Sequence, residues 1–313
     1  MAHPTIVFMG TPDFAVPALQ ALHAAQCRIA LVVTQPDRPK GRGRVLAAPP
    51  VKVAAERIAC PVVQPDRMRD PSIIERLREI APDFLVVVAF GHILSQAVLK
   101  IPKHGAVNLH ASLLPKYRGP APIQWALIRG EKMTGVTTIL MDSGVDTGDI
   151  LLRAETDIGP EETSEQLHHR LAQMGGPLLA RTVTQLWQGT LNPSAQNHAE
   201  ATYAPMLRKA DGRIQWAWPA TRIDAFIRGV TPWPGAFCYW GDDRLKILKA
   251  RPIDADRGNA APGTVVPGFP DELRIATTQG CLSIQEIQGV SGKHLQIQDF
   301  LRGRPMAPGT LLS

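Results

Sequence analysis

At 313 residues with 44% hydrophobic and 20% charged side chains, the chain has the make-up of a globular protein with room for two cores, which excludes a disordered or fibrous chain. The formal charge of +6 admits an anionic partner, and the longest apolar runs, such as FLVVVAF at 84–90, fall far short of the roughly 20 residues that a membrane span needs. Cys27, Cys60, Cys238 and Cys281 stand far apart with no CxxC pair, which argues against a zinc site or redox motif and for buried free thiols.

Residues 1–9 lack the basic start and long apolar stretch of a secretory leader, so a cytoplasmic location is expected. Through the first half, short β-branched runs alternate with amphipathic ones, the pattern of βαβ units around a parallel sheet. Strands are predicted at 5–9, 29–34, 61–64, 84–90, 106–111 and 135–141, with helices at 16–25, 50–58, 71–80, 93–100 and 122–129. The first strand runs into GTPDFAVPAL, which has one glycine where a dinucleotide site shows G-x-G-x-x-G. A doubly wound, mostly parallel sheet without a nicotinamide or flavin is therefore expected.

After the second predicted strand, six basic residues meet only two acidic ones between Thr34 and Arg57. Later, Thr163 with Gln166 fits a capping box, and Leu167, Leu171, Met174 and Leu178 follow at helical spacing. His168 and His169 fall off that stripe beside Arg170, as on a solvated face. The polar, turn-rich stretch 189–204 reads as a linker between a domain at 1–188 and another at 205–313. Short runs such as AFCYW, LKILKA, GTVVP, LRIATTQ and CLSIQEIQ predict that the second domain is a small OB-like β-barrel. It carries 14 basic and 10 acidic residues.

In VNLHASLLP, strand periodicity puts Asn108 and His110 on one face and Val107 and Leu109 on the other. Ligands of open α/β sheets bind beyond the carboxyl ends of strands, near the topological switch point, so the pair is expected to face that crevice. The bland alternative is a buried Asn and His satisfied by backbone groups. TTILMDSGVDTGDIL then runs a strand into a loop with Asp142, Asp146 and Asp149; Asp146, between Gly144 and Gly148, either folds back toward the sheet end or merely closes an Asx turn. An amide, an imidazole and a carboxylate, with no Ser or Cys elbow, suit acyl transfer to an external nucleophile. The amide and imidazole donate to a developing oxyanion, the imidazole trades protons, and the carboxylate orients it.

NLHASLLPKYRGPAPIQWAL followed by TGVTTILMDSGVDTGDIL resembles the folate-dependent formyltransferases. FMGTPDFAVPALQAL, QPDRPKGRGR, PPVK and RGVTPWPGAF resemble the branch of that family that formylates initiator methionyl-tRNA. The resemblance implies that Asn108, His110 and Asp146 are catalytic, that 10-formyltetrahydrofolate is the formyl donor, and that no metal takes part. It implies a folate site at Phe90, Gly91, Ile93, Leu94, Ser112, Leu113, Leu114 and Pro115, with His92 packing or facing solvent. It further implies that the basic loop carrying Arg38, Lys40, Arg42 and Arg44 wedges against the acceptor end of the tRNA, Arg42 foremost. The barrel would hold the tRNA body, with Arg208, Lys209, Lys246, Lys249 and Arg251 as candidates, and the protein would be a monomer. Three rival readings stand beside this one. A small amine, such as a nucleotide sugar or glycinamide ribonucleotide, would take the formyl group; water would take it; or the scaffold would bind RNA without catalysis.

Overall fold

A computed structural model describes residues 3–40 and 45–313. The chain divides into two units, the first made of Met1–Pro122, Met133–Thr156 and His168–Ala204, the second of Ile123–Lys132, Asp157–Leu167 and Pro205–Ser313.

In the first unit the β-branched runs form β1 (Thr5–Gly10), β2 (Arg28–Val33), a hairpin of β3 (Arg38–Lys40) and β4 (Val45–Ala47), β5 (Val62–Val63), β6 (Phe84–Val88), β7 (Ala106–His110), β8 (Met133–Leu140) and β9 (Asp149–Asp157). Between them lie α1 (Val16–Ala24), α2 (Pro50–Arg57), α3 (Pro71–Ile80) and α4 (Gln96–Leu99); along the chain α5 (Pro122–Ile128) follows β7 but falls, from Ile123 on, in the second unit, and α6 (Ser164–Trp187) belongs to the first unit from His168 on. Seven strands make one sheet in the order β5-β2-β1-β6-β7-β8-β9. The pairs from β5 to β7 are parallel, and β7 pairs antiparallel with β8. The order runs outward in both directions from β1, so the switch point lies between β1 and β6, and the strand that carries Asn108 and His110 is the neighbour of β6 on its far side.

The predicted helix over 93–100 contracts to α4 because its apolar face is thin: Leu94 and Val98 are buried, while Ile93 is 93% exposed. β9 was not expected as a strand, since only Ile150 and Leu151 of its residues are buried and charged residues alternate beyond them. At the start of α6 the predicted capping box forms, Thr163 N donating to Gln166 Oε1 at 3.0 Å and Gln166 N to Thr163 Oγ1 at 3.4 Å. Gly175 and Gly176 let this helix lie close to its neighbours. A Cβ at Gly175 would stand 2.5 Å from Leu109 Cδ2, and one at Gly176 2.8 Å from the Pro17 carbonyl. The Leu109 face of β7 is thereby covered, and Asn108 and His110 point to the other.

Residues 189–204 pair with the first unit. Ile150 and Ser194 exchange backbone hydrogen bonds of 2.7 and 2.8 Å, as do Arg118 with Thr202 and Ala204, at 2.8 and 2.7 Å.

The second unit holds α7 (Ala220–Val230), β10 (Ala236–Trp240), β11 (Asp243–Ile253), β12 (Val265–Val266), β13 (Leu273–Ala276), β14 (Cys281–Gln288), β15 (His294–Gln296) and α8 (Ile297–Gly303), and α7 packs on β10, β11 and β14. The strand path is β10-β11-β14-β13-β12, all antiparallel. Its two edges are joined by the last residues: Tyr239 and Ser313 exchange hydrogen bonds of 2.7 and 2.9 Å, and Leu312 N donates to the Gly263 carbonyl at 2.9 Å. Ile223, Phe226, Ile227 and Val230 of α7 share one core with Leu245, Ile247, Leu282 and Ile284 of the sheet.

Cys27, Cys238 and Cys281 are buried free thiols, and Cys60 is partly exposed. Burial pushes the thiol of Cys27 up to about 11 and that of Cys238 up to about 12. A thiol reagent applied to the native protein near pH 8 is expected to titrate at most one equivalent rapidly, from Cys60, and the rest only on unfolding. A second rapid equivalent would contradict the packing described.

Candidate functional site

The site begins where β7 ends. Asn108 is 9% exposed and His110 6%. His110 Nε2 lies 2.9 Å from the Tyr117 carbonyl, an acceptor, so this nitrogen carries a proton. Nδ1 faces Asp146 Oδ1 at 3.6 Å, within ion-pair reach but longer than a hydrogen bond. The ring therefore sits between two acceptors, one on each side. The Asn108 side chain makes no hydrogen bond among the described residues and is not wholly enclosed, which leaves its amide for a ligand.

The Tyr117 carbonyl reaches back to His110 because residues 111–117 form a tight, internally bonded turn. Ser112 Oγ donates to the Lys116 carbonyl at 2.6 Å, Thr137 Oγ1 donates to the Ser112 carbonyl at 2.6 Å, and Leu114 N donates to Thr137 Oγ1 at 3.2 Å. Tyr117 closes the turn in the left-handed region, at φ 63°.

The loop after β8 divides its carboxylates by role. Asp142 forms the local turn, its Oδ1 accepting from Gly144 N at 3.0 Å and Thr147 Oγ1 at 2.6 Å. Asp146, at φ 54°, instead reaches across the site, and its Oδ2 accepts from Gly119 N at 2.8 Å. The tight path beyond it needs Gly148, where a Cβ would stand 1.9 Å from the Leu140 carbonyl. Asp149 is exposed at the start of β9. His92, set aside as non-catalytic, is half-buried against Phe90 with ring centroids 5.1 Å apart. His168 pairs with Asp13 at 3.2 Å rather than standing alone in solvent.

Of the folate candidates, Phe90, Leu94, Ser112, Leu114 and Pro115 are buried, Leu113 is half-buried, and Gly91 and Ile93 are exposed. The Ser112 hydroxyl already serves the turn, so what the 112–115 stretch offers a ligand is chiefly backbone and apolar surface. At the carboxyl ends of β2 and β6, two buried polar atoms lack a partner among the described residues, Thr34 Oγ1 and His92 Nε2.

Of the basic candidates, Arg38 is exposed on β3, Lys40 lies on the same strand, and Arg42 and Arg44 fall outside the described residues. The root of that hairpin is a polar knot: Lys52 Nζ meets Asp37 Oδ2 at 2.8 Å, and Gln64 Nε2 donates to Asp37 Oδ1 at 2.7 Å and to the Gln35 carbonyl at 2.8 Å. Hydrogen bonds from Lys52 first, then Gln64, hold the Asp37 carboxyl below its ordinary value. Gln35 Nε2 in turn donates to the Phe90 carbonyl at 3.2 Å, linking the hairpin root to the end of β6.

In the second unit, Arg208 and Lys209 are exposed ahead of β10. Leu245 and Ile247 turn inward on β11, so Arg244 and Lys246 turn outward, and register shifts on both sides of Lys249 keep it exposed while Ala250 is buried. Arg251 is exposed further along the same strand, and Lys249 also pairs with Glu161 at 3.0 Å. Sequence reasoning missed Arg244 and Arg213, which lie over the rings of Phe237 and Tyr239 at 3.8 and 5.7 Å. Basic residues alternating with aromatics on neighbouring strands were the signal. Among the described residues there is no group of three or more His, Cys, Asp or Glu able to hold a metal, and no helix long and apolar enough to cross a membrane.

The chain is similar to known proteins over both units. The model of the formyl transferase family matches residues 4–183, and that of the formyl transferase C-terminal domain matches residues 206–305. The methionyl-tRNA formyltransferase of Citrifermentans bemidjiense is 48% identical over 307 residues, covering 98% of this chain and 96% of that one. The methionyl-tRNA formyltransferase of Geotalea uraniireducens is 46% identical over 312 residues, covering 100% and 99%. In fold, the chain resembles the crystal structure of an N-formyltransferase from Helicobacter canadensis in complex with folinic acid and dTDP-3-aminofucose, with a TM-score of 0.68 at 18% identity, over 90% of this chain and 98% of that one. The chain thus belongs to the formyl transferase family and carries both its amino-terminal and its carboxyl-terminal domain.

Proposed function

We propose that the protein transfers the formyl group of 10-formyltetrahydrofolate to the α-amino group of initiator methionyl-tRNA, acting as a cytoplasmic monomer. The observation that carries the reading is the His110 ring held between the Tyr117 carbonyl and the Asp146 carboxylate, on the same strand face as an Asn108 amide with no other partner. The names and full-length similarity of the relatives support methionyl-tRNA as the acceptor.

The neutral α-amine attacks the formyl carbon, a C–N bond forms, and the carbonyl electrons move to oxygen. The Asn108 amide donates to that oxyanion, and the His110 Nε2–H joins it by exchanging the Tyr117 carbonyl for the new oxygen, in a largely buried site where such donors are strongest. As the tetrahedral centre collapses, the bond to N10 of the folate breaks and the proton lost by the amine passes through His110 to N10, so tetrahydrofolate leaves neutral at that atom. Asp146 supports the ring while it carries the extra proton. Asp146 is itself fixed by Gly119 N, which keeps the carboxylate from following the proton. The folate end of the site is supported by exposed Gly91 and Ile93 and by the unpartnered Thr34 and His92 atoms, which suit a ligand that is flat, apolar on its faces and polar at its edge.

For the tRNA, Arg38 and the exposed Val45 and Leu46 on the hairpin offer one charged and one apolar surface to an acceptor end, and the knot at Asp37 fixes the hairpin's root. Arg244, Lys246, Lys249 and Arg251 along β11, with Arg208 and Lys209, offer phosphate contacts.

The test is formyl transfer from 10-formyltetrahydrofolate to charged initiator tRNA, beside uncharged tRNA, a nucleotide-linked amino sugar, glycinamide ribonucleotide and no acceptor, at several salt concentrations. The expected result is product with the charged tRNA alone, with affinity falling steeply as salt rises. Transfer to either small amine, or formate release without acceptor, would replace this reading with a small-amine transferase or a hydrolase.

A further inference from the structure

Behind Asp146 lies a buried polar cluster that the reaction itself does not call on. Arg118 is 3% exposed and Gln196 5%. Gln196 Oε1 accepts from Arg118 twice, from Nε at 3.2 Å and from a terminal guanidinium nitrogen at 2.7 Å. Gln196 Nε2 donates twice, to the Asp146 carbonyl at 2.9 Å and to the Gly148 carbonyl at 2.7 Å. The amide thus uses both protons and both lone pairs, the full capacity of its type. Its orientation is fixed as well, since turning it over would set N–H groups against the guanidinium and oxygen against two carbonyls. Arg118 further meets His198 Nδ1 at 3.0 Å, and its own backbone is held by Thr202 and Ala204.

What this amide grips is the strained part of the loop. Asp146 is a non-glycine residue at φ 54°, a conformation that persists only where its surroundings enforce it. Two of its groups are tied to neighbouring points of one segment: the carboxylate to Gly119 N, and the carbonyl through Gln196 to Arg118, the residue before. Sideways movement of the loop would break both together. We infer that Gln196 is a positioning residue which, backed by the buried Arg118, clamps Asp146 and Gly148 from behind and thereby holds the Asp146 carboxylate against His110. The inference rests on the reading that Asp146 serves formyl transfer.

Gln196→Glu separates the clamp from the burial of Arg118. A carboxylate there still accepts from the guanidinium, but it turns an acceptor toward the Asp146 and Gly148 carbonyls where a donor stood. The measurement is kcat and KM for both substrates in Gln196→Glu, Asp146→Asn and the double variant, with melting temperatures for each. Gln196→Glu is expected to lower kcat by roughly tenfold to a hundredfold, the scale of a displaced catalytic group, with KM for tRNA and folate within about twofold of wild type. Added to Asp146→Asn it is expected to cost little more, because it acts through Asp146. Unchanged kcat, a loss confined to KM, or an undiminished loss on the Asp146→Asn background would overturn the clamp while leaving the role of Asp146 intact. A fully active Asp146→Asn would instead remove the reading on which the inference rests, and the inference with it. If the Glu variant does not fold, Gln196→Asn keeps the donors on a stem one methylene shorter and is expected to give the same kcat-only loss; wild-type turnover there would overturn the clamp.

Discussion

His110→Ala is expected to lower kcat for formyl transfer by roughly a hundredfold to ten-thousandfold, the range a positioned general acid–base supplies. The ring has two roles in the account, donor to the oxyanion and carrier of the proton between the two nitrogens, and alanine removes both. It also removes the hydrogen bond between the ring and the Tyr117 carbonyl, at a cost of about 1 kcal/mol in stability. His110→Gln distinguishes the two consequences. Its amide can donate toward Tyr117 but cannot relay a proton, so melting temperature should recover while kcat stays low. Recovery of both would mean that the ring only shapes the turn.

Asn108→Ala is expected to lower kcat by roughly a hundredfold to a thousandfold, as for the loss of one oxyanion donor, with kcat/KM falling by the same factor. Because the Asn108 amide makes no hydrogen bond among the described residues, truncation strands no partner and the melting temperature should hardly move. That contrast with His110→Ala is part of the prediction. A rise in KM at constant kcat would assign the amide to ground-state binding of the folate instead.

Much of this arrangement was legible in the chain. Period-two alternation in VNLHA put Asn108 and His110 on one face because a strand allows nothing else, and the β-branched runs located β1, β6, β7 and β8 for the same reason. Asp146 was harder. Flanking glycines marked a tight loop, but Asp142 is an equally good turn former by composition, and only the folded path shows which carboxylate crosses to Gly119. Gln196 left no local trace. It stands in a polar stretch that reads as a linker, and its partner Arg118 is 78 positions away, so no spacing rule connects them. α7 was overlooked although Ile223, Phe226, Ile227 and Val230 have helical spacing, because strand-like runs bounded by Gly, Pro and Asp dominate the surrounding sequence. The hairpin of β3 and β4 was expected as a loop, for its glycines and charges hide two three-residue strands whose pairing is set from the Asp37 root.

In the proposed mechanism Asn108 and His110 act on one oxygen at one moment. Its most direct test is single-turnover formyl transfer to charged initiator tRNA in Asn108→Ala, His110→Ala and the double variant. If both serve the same transition state, the double variant loses much less than the product of the two single losses. Losses that multiply in full, or either single variant turning over at the wild-type rate, would contradict it.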